Sequence, residues 1–127
     1  MRFGYTILYV ADVAASLTLY ERAFGQRRRF VHESGDYAEL ETGTTTLAFA
    51  SVGLAASNLP HGTLAPGRAT PAFEVCFVTE DVPAAYARAV DAGAAPVSAP
   101  QSKPWGQQVA YVRDRDGNLV EIASPAG

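Results

Sequence analysis

Apolar and polar positions alternate through residues 5–10, "YTILYV", a run rich in β-branched and aromatic side chains that predicts a strand. The period then changes. In 12–24, "DVAASLTLYERAF", Val13, Leu17, Tyr20 and Phe24 recur at helical spacing, with Asp12 as N-cap and Gly25 just past the end. Three short strand patterns follow, at about 27–33, 37–42 and 45–52, parted by the turn signals "ESGD" and "ETGT". Residues 53–71, "GLAASNLPHGTLAPGRATP", show no period and read as a long connection. The pattern restarts with a strand at 72–79, "AFEVCFVT", and a helix at 81–93, "DVPAAYARAVDAG", with Pro83 in its first turn and Gly93 at its end. A short strand near 95–99 and the runs "VAYVRD" and "LVEIAS" complete a second set.

The two sets repeat one plan. "YVADVAASLTLYERAFG" parallels "FVTEDVPAAYARAVDAG", each with a strand, an Asp-Val helix start, a mid-helix tyrosine and a closing glycine. An internal repeat of this kind specifies architecture better than any single element. The predicted fold class is α+β: two tandem βαβββ modules, 1–52 and 72–127, joined by the connection 53–71 within one domain of 127 residues. Their half-sheets are expected to pair into one curved mixed sheet, helices outside, with a concave face that serves as a pocket.

Composition narrows the function classes. Hydrophobic residues make up 48%, enough for a core. A net charge of −3 and a single basic run, Arg27-Arg28-Arg29, argue against a nucleic-acid partner. The single cysteine, Cys76, excludes an intrachain disulfide and fits a reducing compartment. No apolar run reaches membrane-spanning length, and Asp12 interrupts the N-terminal apolar run too early for a secretory segment. The expected setting is cytoplasmic.

The repeat also defines equivalent positions. Seven residues before Asp12 stands Tyr5, and seven before Asp81 stands Glu74. Four residues after Gly43 stands Leu47, and four after Gly117 stands Glu121. Strand alternation gives Tyr5, Ile7 and Tyr9 one face and Glu74, Cys76 and Val78 another, opposite the apolar sets Leu8/Val10 and Val75/Phe77 that the helices would cover.

These stretches, with "PWGQQVAYVRDRDGNLVEIASP" at the C-terminal end, resemble the vicinal oxygen chelate superfamily, which includes glyoxalase I, extradiol dioxygenases and bleomycin resistance proteins. The resemblance covers nearly the whole chain. The Pro-Trp-Gly, strand, Arg-Asp-x-x-Gly-Asn and apolar strand order is most similar to bleomycin- and mitomycin-binding proteins. It implies the paired βαβββ fold and a homodimer. It also implies that the four equivalent positions are where metal-dependent members carry His, Glu or Gln ligands. Here they hold Tyr5, Leu47, Glu74 and Glu121; leucine cannot ligate, and "TTTLAFASVG" offers no His, Glu, Asp or Cys in its place. Fe, Ni and Zn favour imidazole or thiolate company over two carboxylates.

The expectation is therefore a protein without metal or other cofactor, sequestering a planar, cationic antibiotic or related small molecule in clefts at a dimer interface. The ligand-binding set is Tyr5, Leu47, Phe49, Glu74, Trp105, Tyr111 and Glu121. Trp105 and the other aromatics would supply stacking surface and the carboxylates charge complementarity. The alternative is a glyoxalase- or dioxygenase-like enzyme using Glu74 and Glu121 with a divalent metal, or as acid and base. His32 and His61 fall outside the four positions, Cys76 reads as an inert buried thiol, and "DRDGN" is a tight turn that lacks the ligand pattern of a calcium loop.

Overall fold

The computed structural model describes residues 3–61, 63–64 and 73–126. The N-terminal part of the strand expected from residue 72 and much of the connection 53–71 lie outside them. Among the described residues the order is β1 (Tyr5–Val10), α1 (Val13–Phe24), β2 (Arg28–Val31), β3 (Tyr37–Leu40), β4 (Thr46–Ser51), α2 (Val52–Ser57), β5 (Glu74–Val78), α3 (Val82–Asp91), β6 (Ala95–Ser102), β7 (Gln108–Arg113) and β8 (Leu119–Ala123). Two βαβββ modules are present as expected. The strands form two four-stranded sheets, β1-β4-β3-β2 and β5-β8-β7-β6, rather than one hydrogen-bonded sheet. Each sheet pairs its first and last strand in parallel, β1 with β4 and β5 with β8, and the other neighbours antiparallel.

The chain divides into two compact units. One holds β1–β4, α2 and α1 up to Glu21; the other holds β5–β8 and α3 together with Arg22–Phe24. In the first, α1 starts where Asp12 Oδ1 accepts the Ala15 amide at 2.9 Å and ends at Gly25 in the left-handed region, φ 65°. Its apolar stripe packs on the sheet face of Leu8, Val10, Leu40 and Phe49, where the Tyr20 and Phe49 rings meet edge to face at 4.8 Å. In the second unit Asp81 Oδ1 caps α3 through the Ala84 amide at 3.1 Å. Val82 and Ala89 bury beside Ala110, Val112, Val120 and Ile122. Phe24 stacks on Phe77, and Arg88 Nε donates to the Arg22 carbonyl.

Two elements differ from expectation. Residues 52–57 form α2, capped by Ser51 Oγ on the Leu54 amide at 3.0 Å, inside what reads as connection. Two turns of helix are too short to show a period. The strand at Ala95 runs on to Ser102 although it contains Pro96 and Pro100. It lies at a sheet edge and shifts register at Pro96/Ser98 and Ser98/Gln101, which is where a strand tolerates proline.

Candidate functional site

Each sheet has one helix-covered face and one open face, and pairing register assigns every strand residue to one of them. In the second sheet Cys76 pairs with Glu121, which pairs in turn with Tyr111. One row along, Glu74 pairs with Leu119, which pairs with Arg113; one row the other way, Val78 pairs with Ala123, which pairs with Val109. The open face thus carries an acidic end and an apolar end, with successive rows about 7 Å apart.

The acidic end is a connected group. Tyr111 Oη donates to Glu121 Oε2 at 3.2 Å. Arg113, on the same face, directs Nη1 to the Gly117 carbonyl at 2.8 Å, and no ion pair among the described residues reaches Glu74 or Glu121. Partial burial and the charge of Glu121 raise the Glu74 carboxyl above the usual range. Cys76 reaches solvent, yet burial, the hydrogen bond and charge of Glu121 and the charge of Glu74 push its thiol up to about 12. Burial and the same two carboxylates push Tyr111 up to about 12. The group favours cations and holds its phenol and thiol neutral.

Beyond the apolar row, Trp105 stands in the turn joining β6 to β7 and is 66% exposed. Lys103 N donates to the Gln107 carbonyl at 2.7 Å and closes this turn, while Gly106 adopts φ 97°. Trp105 therefore belongs to the same unit as Tyr111, Glu74, Glu121, Cys76 and Val78, in a turn between two strands of their sheet.

In the first sheet, Tyr5, Ile7 and Tyr9 of β1 lie on the open face and are exposed. They pair with Thr46, Ala48 and Ala50, so the strand beside the tyrosines presents only small side chains there. On β3, Tyr37 and Glu39 share this face: Tyr37 Oη donates to Glu39 Oε2 at 2.8 Å, and Arg29 Nε lies 3.8 Å from Glu39 Oε1. Burial, then the hydrogen bond to Glu39, drives the Tyr37 phenol well above the usual tyrosine range. Tyr37 and Glu39 are absent from the expected site. The alternation in "YAEL", with Ala38 and Leu40 in the core, is the signal that places them.

Two expected site residues are on the wrong face. Leu47 pairs with Thr6 and Phe49 with Leu8, so both point beneath α1; Phe49 is 0% exposed against Tyr20. The counterpart of Glu121 is Ala48. The cause is turn length: β4 starts three residues after Gly43, whereas β8 starts two residues after Gly117. Counting four from each glycine therefore lands on opposite faces.

The remaining candidates have local roles. Arg28 pairs with Glu21 at 2.6 Å and Arg29 faces Glu39, so the arginine run forms no anion site. His32 Nδ1 meets Ser34 Oγ and accepts the Ser34 amide within a turn. His61 lines a cavity of about 250 Å³ with Ala56, Leu59, Pro60 and Leu64, none of them an expected site residue. In "DRDGN" the buried Asp114 accepts the amides of Asp116 and Asn118 and the Asn118 side chain, each at 2.9 Å, which makes the motif structural.

At the four places where metal-dependent relatives carry ligands, the chain has the Tyr5 phenol, the Ala48 methyl and the carboxylates of Glu74 and Glu121. Among the described residues no three His, Cys, Asp or Glu side chains are grouped to hold a metal ion. This donor set does not fit a site for Fe, Ni or Zn. No helix among the described residues is long and apolar enough to cross a membrane.

Comparison with known proteins agrees with the fold. A glyoxalase-related enzyme from Fulvimarina pelagi is similar with a TM-score of 0.84 at 22% identity, over 98% of this chain and 88% of that one. TioX from Micromonospora sp. ML1 is similar at 0.74 and 26% identity, over 98% of both chains. A glyoxalase/bleomycin resistance protein/dioxygenase family enzyme from Burkholderia phytofirmans PsJN follows at 0.80 and 22%, over 95% of this chain and 96% of that one. No curated protein matches the chain. The paired βαβββ modules and a family match spanning residues 2–122 lead to one assignment: the chain belongs to the glyoxalase/bleomycin resistance protein/dioxygenase superfamily.

Proposed function

We propose that the open face of the second sheet binds a planar, cationic small molecule of antibiotic type and sequesters it without chemical turnover. The supporting observation is the order of chemistry along that face. Glu74 and Glu121, with no cationic partner among the described residues, come first; Val78 follows, exposed beside the buried Ala123 and Val109; an exposed indole stands in the turn beyond. A ligand with a charged amine or guanidinium at one end and a flat ring system at the other matches that order. The donor set argues against a metal-dependent reaction, and the raised thiol of Cys76 makes it a poor nucleophile.

The working form we propose is a cytoplasmic homodimer. Phe3, Tyr5, Ile7 and Tyr9, alternate residues of one stretch, are 70%, 57%, 43% and 45% exposed, an apolar stripe that a second copy would cover. Sedimentation equilibrium tests this directly, and a monomer at micromolar concentration overturns it.

Trp105 is the sole tryptophan, so its emission reports on one place. Titration with bleomycin-, mitomycin- and quinone-like compounds should change that emission and raise the melting temperature for at least one chemotype. Glu121→Gln should weaken binding of the charged compounds more than the neutral ones. Unchanged emission and melting temperature across the panel overturns the proposal.

A further inference from the structure

An exposed tryptophan in a turn ordinarily gives its N–H to water and rotates freely about its side-chain bonds. Trp105 has a protein partner for that N–H instead. Its Nε1 donates to Gln107 Oε1 at 2.8 Å, and Gln107 Nε2 donates onward to the Ser124 carbonyl at 2.8 Å. Ser124 is itself fixed to the sheet: its amide donates to the Gln108 carbonyl at 2.9 Å, and its Oγ accepts the Gln108 amide at 2.8 Å. The chemistry allows only one orientation of the glutamine. An indole N–H can only donate and a backbone carbonyl can only accept, so the amide must turn its oxygen to the ring and its nitrogen to Ser124. The ring is thus tied through two bonds to the residue after β8, while it remains 66% exposed.

Burying such a ring would be the favourable outcome for folding alone, because a tryptophan carries one of the largest apolar surfaces of any side chain. Here the neighbouring residues hold it in place without covering it. We infer that Gln107 is a positioning residue that fixes the Trp105 ring as a rigid platform for a planar ligand at the apolar end of the second sheet's open face. The platform half of this inference rests on the binding function proposed above; the tether half does not. A side chain already ordered before binding spares the ligand that ordering, which is a roughly three- to tenfold effect on affinity.

The experiment uses the full chain, time-resolved fluorescence anisotropy of Trp105 without ligand, and a quenching titration with the planar cation proflavine. Gln107→Met keeps side-chain length but removes both bonds. Gln107→Glu keeps an acceptor for the indole but turns a carboxylate oxygen toward the Ser124 carbonyl, so it breaks the anchoring bond alone. In the unsubstituted protein the anisotropy should decay with overall tumbling alone. Q107M should gain a fast component and lose about three- to tenfold in proflavine affinity at a melting temperature close to that of the parent, and Q107E, its anchor to Ser124 lost, should gain a fast component as well. Identical anisotropy in Q107M and the parent overturns the tether. Altered anisotropy with equal proflavine affinity overturns the platform and leaves the tether. If the parent binds neither proflavine nor any panel compound, the proposed function and the platform fall together, while the anisotropy still decides the tether.

Discussion

Tyr111 and Glu121 stand opposite each other in the β7–β8 register, and the tyrosine hydroxyl donates to the glutamate across 3.2 Å. Glu74, diagonal to Glu121 on the neighbouring strand, receives no such bond among the described residues. The two carboxylates are therefore unequal. One is held by a phenol; the other answers to burial and to its neighbour's charge.

This inequality has a pH signature. Burial and Glu121 raise the folded-state carboxyl of Glu74, so the folded chain holds that proton more tightly than the unfolded chain does. The resulting stabilisation is complete below the ordinary glutamate value of about 4.3 and is lost as pH rises through the elevated folded value. Glu74→Gln should therefore melt above the parent at pH 7, with the gap closing toward pH 4. A gap of constant size across melting curves from pH 4 to 7 would exclude this account.

The thiol of Cys76 tests the same group from another side. Its value of about 12 leaves almost no thiolate at pH 8, so alkylation by iodoacetamide should be slow although the residue reaches solvent. Glu121→Gln removes a hydrogen-bonded negative charge and should lower the thiol value. Each unit of lowering raises the thiolate fraction about tenfold. An unchanged alkylation rate in E121Q means that burial and Glu74, not Glu121, set the thiol.

Face assignment in the first sheet is measurable as stability. Phe49→Ala opens a cavity beside Tyr20 and should cost about 3–5 kcal/mol in urea unfolding. Tyr9→Ala, on the open face, should cost well under half of that in the monomer. Comparable losses at the two positions would put Phe49 back among the site residues.

What the sequence disclosed and what it hid follow one physical divide. Tyr5, Glu74, Tyr111 and Glu121 lie on open faces because alternation and the Asp-Val repeat are local properties, readable within a few residues. Leu47 and Phe49 were misassigned because register between paired strands depends on turn length, and one extra residue after Gly43 exchanges the faces of the whole strand. Gln107 left no pattern at all. Its role comes from a hydrogen bond to a residue two positions away and another to one seventeen away, and the second exists only in the folded sheet. Tyr37 and Glu39 were within reach, since their alternation with buried neighbours is the same signal that placed Tyr5.

Asp114 gives a prediction free of ligand. It is buried and accepts three hydrogen bonds within its own turn. Asp114→Ala leaves two amides without acceptors and should destabilise the protein by about 2–3 kcal/mol in urea. A change below about 0.5 kcal/mol would show that water replaces the carboxylate without loss.

Metal content offers a direct comparison with metal-dependent relatives. Natively purified protein should carry no stoichiometric Fe, Ni, Zn or Mn by elemental analysis. One equivalent of metal, lost on Glu121→Ala, would return the enzyme reading to first place.

The parallel pairing of β1 with β4 also states how easily this chemistry could change hands. Ala48 is 0% exposed between Ile7 and Glu39, so an Ala48→His imidazole would have to displace its neighbours, just as Leu47→His would force one beneath α1. A donor at residue 48 therefore takes more than one codon, because the side chains that cover the methyl must yield with it. The first module is thus held against ligation by packing at residues 47, 48 and 49 alike.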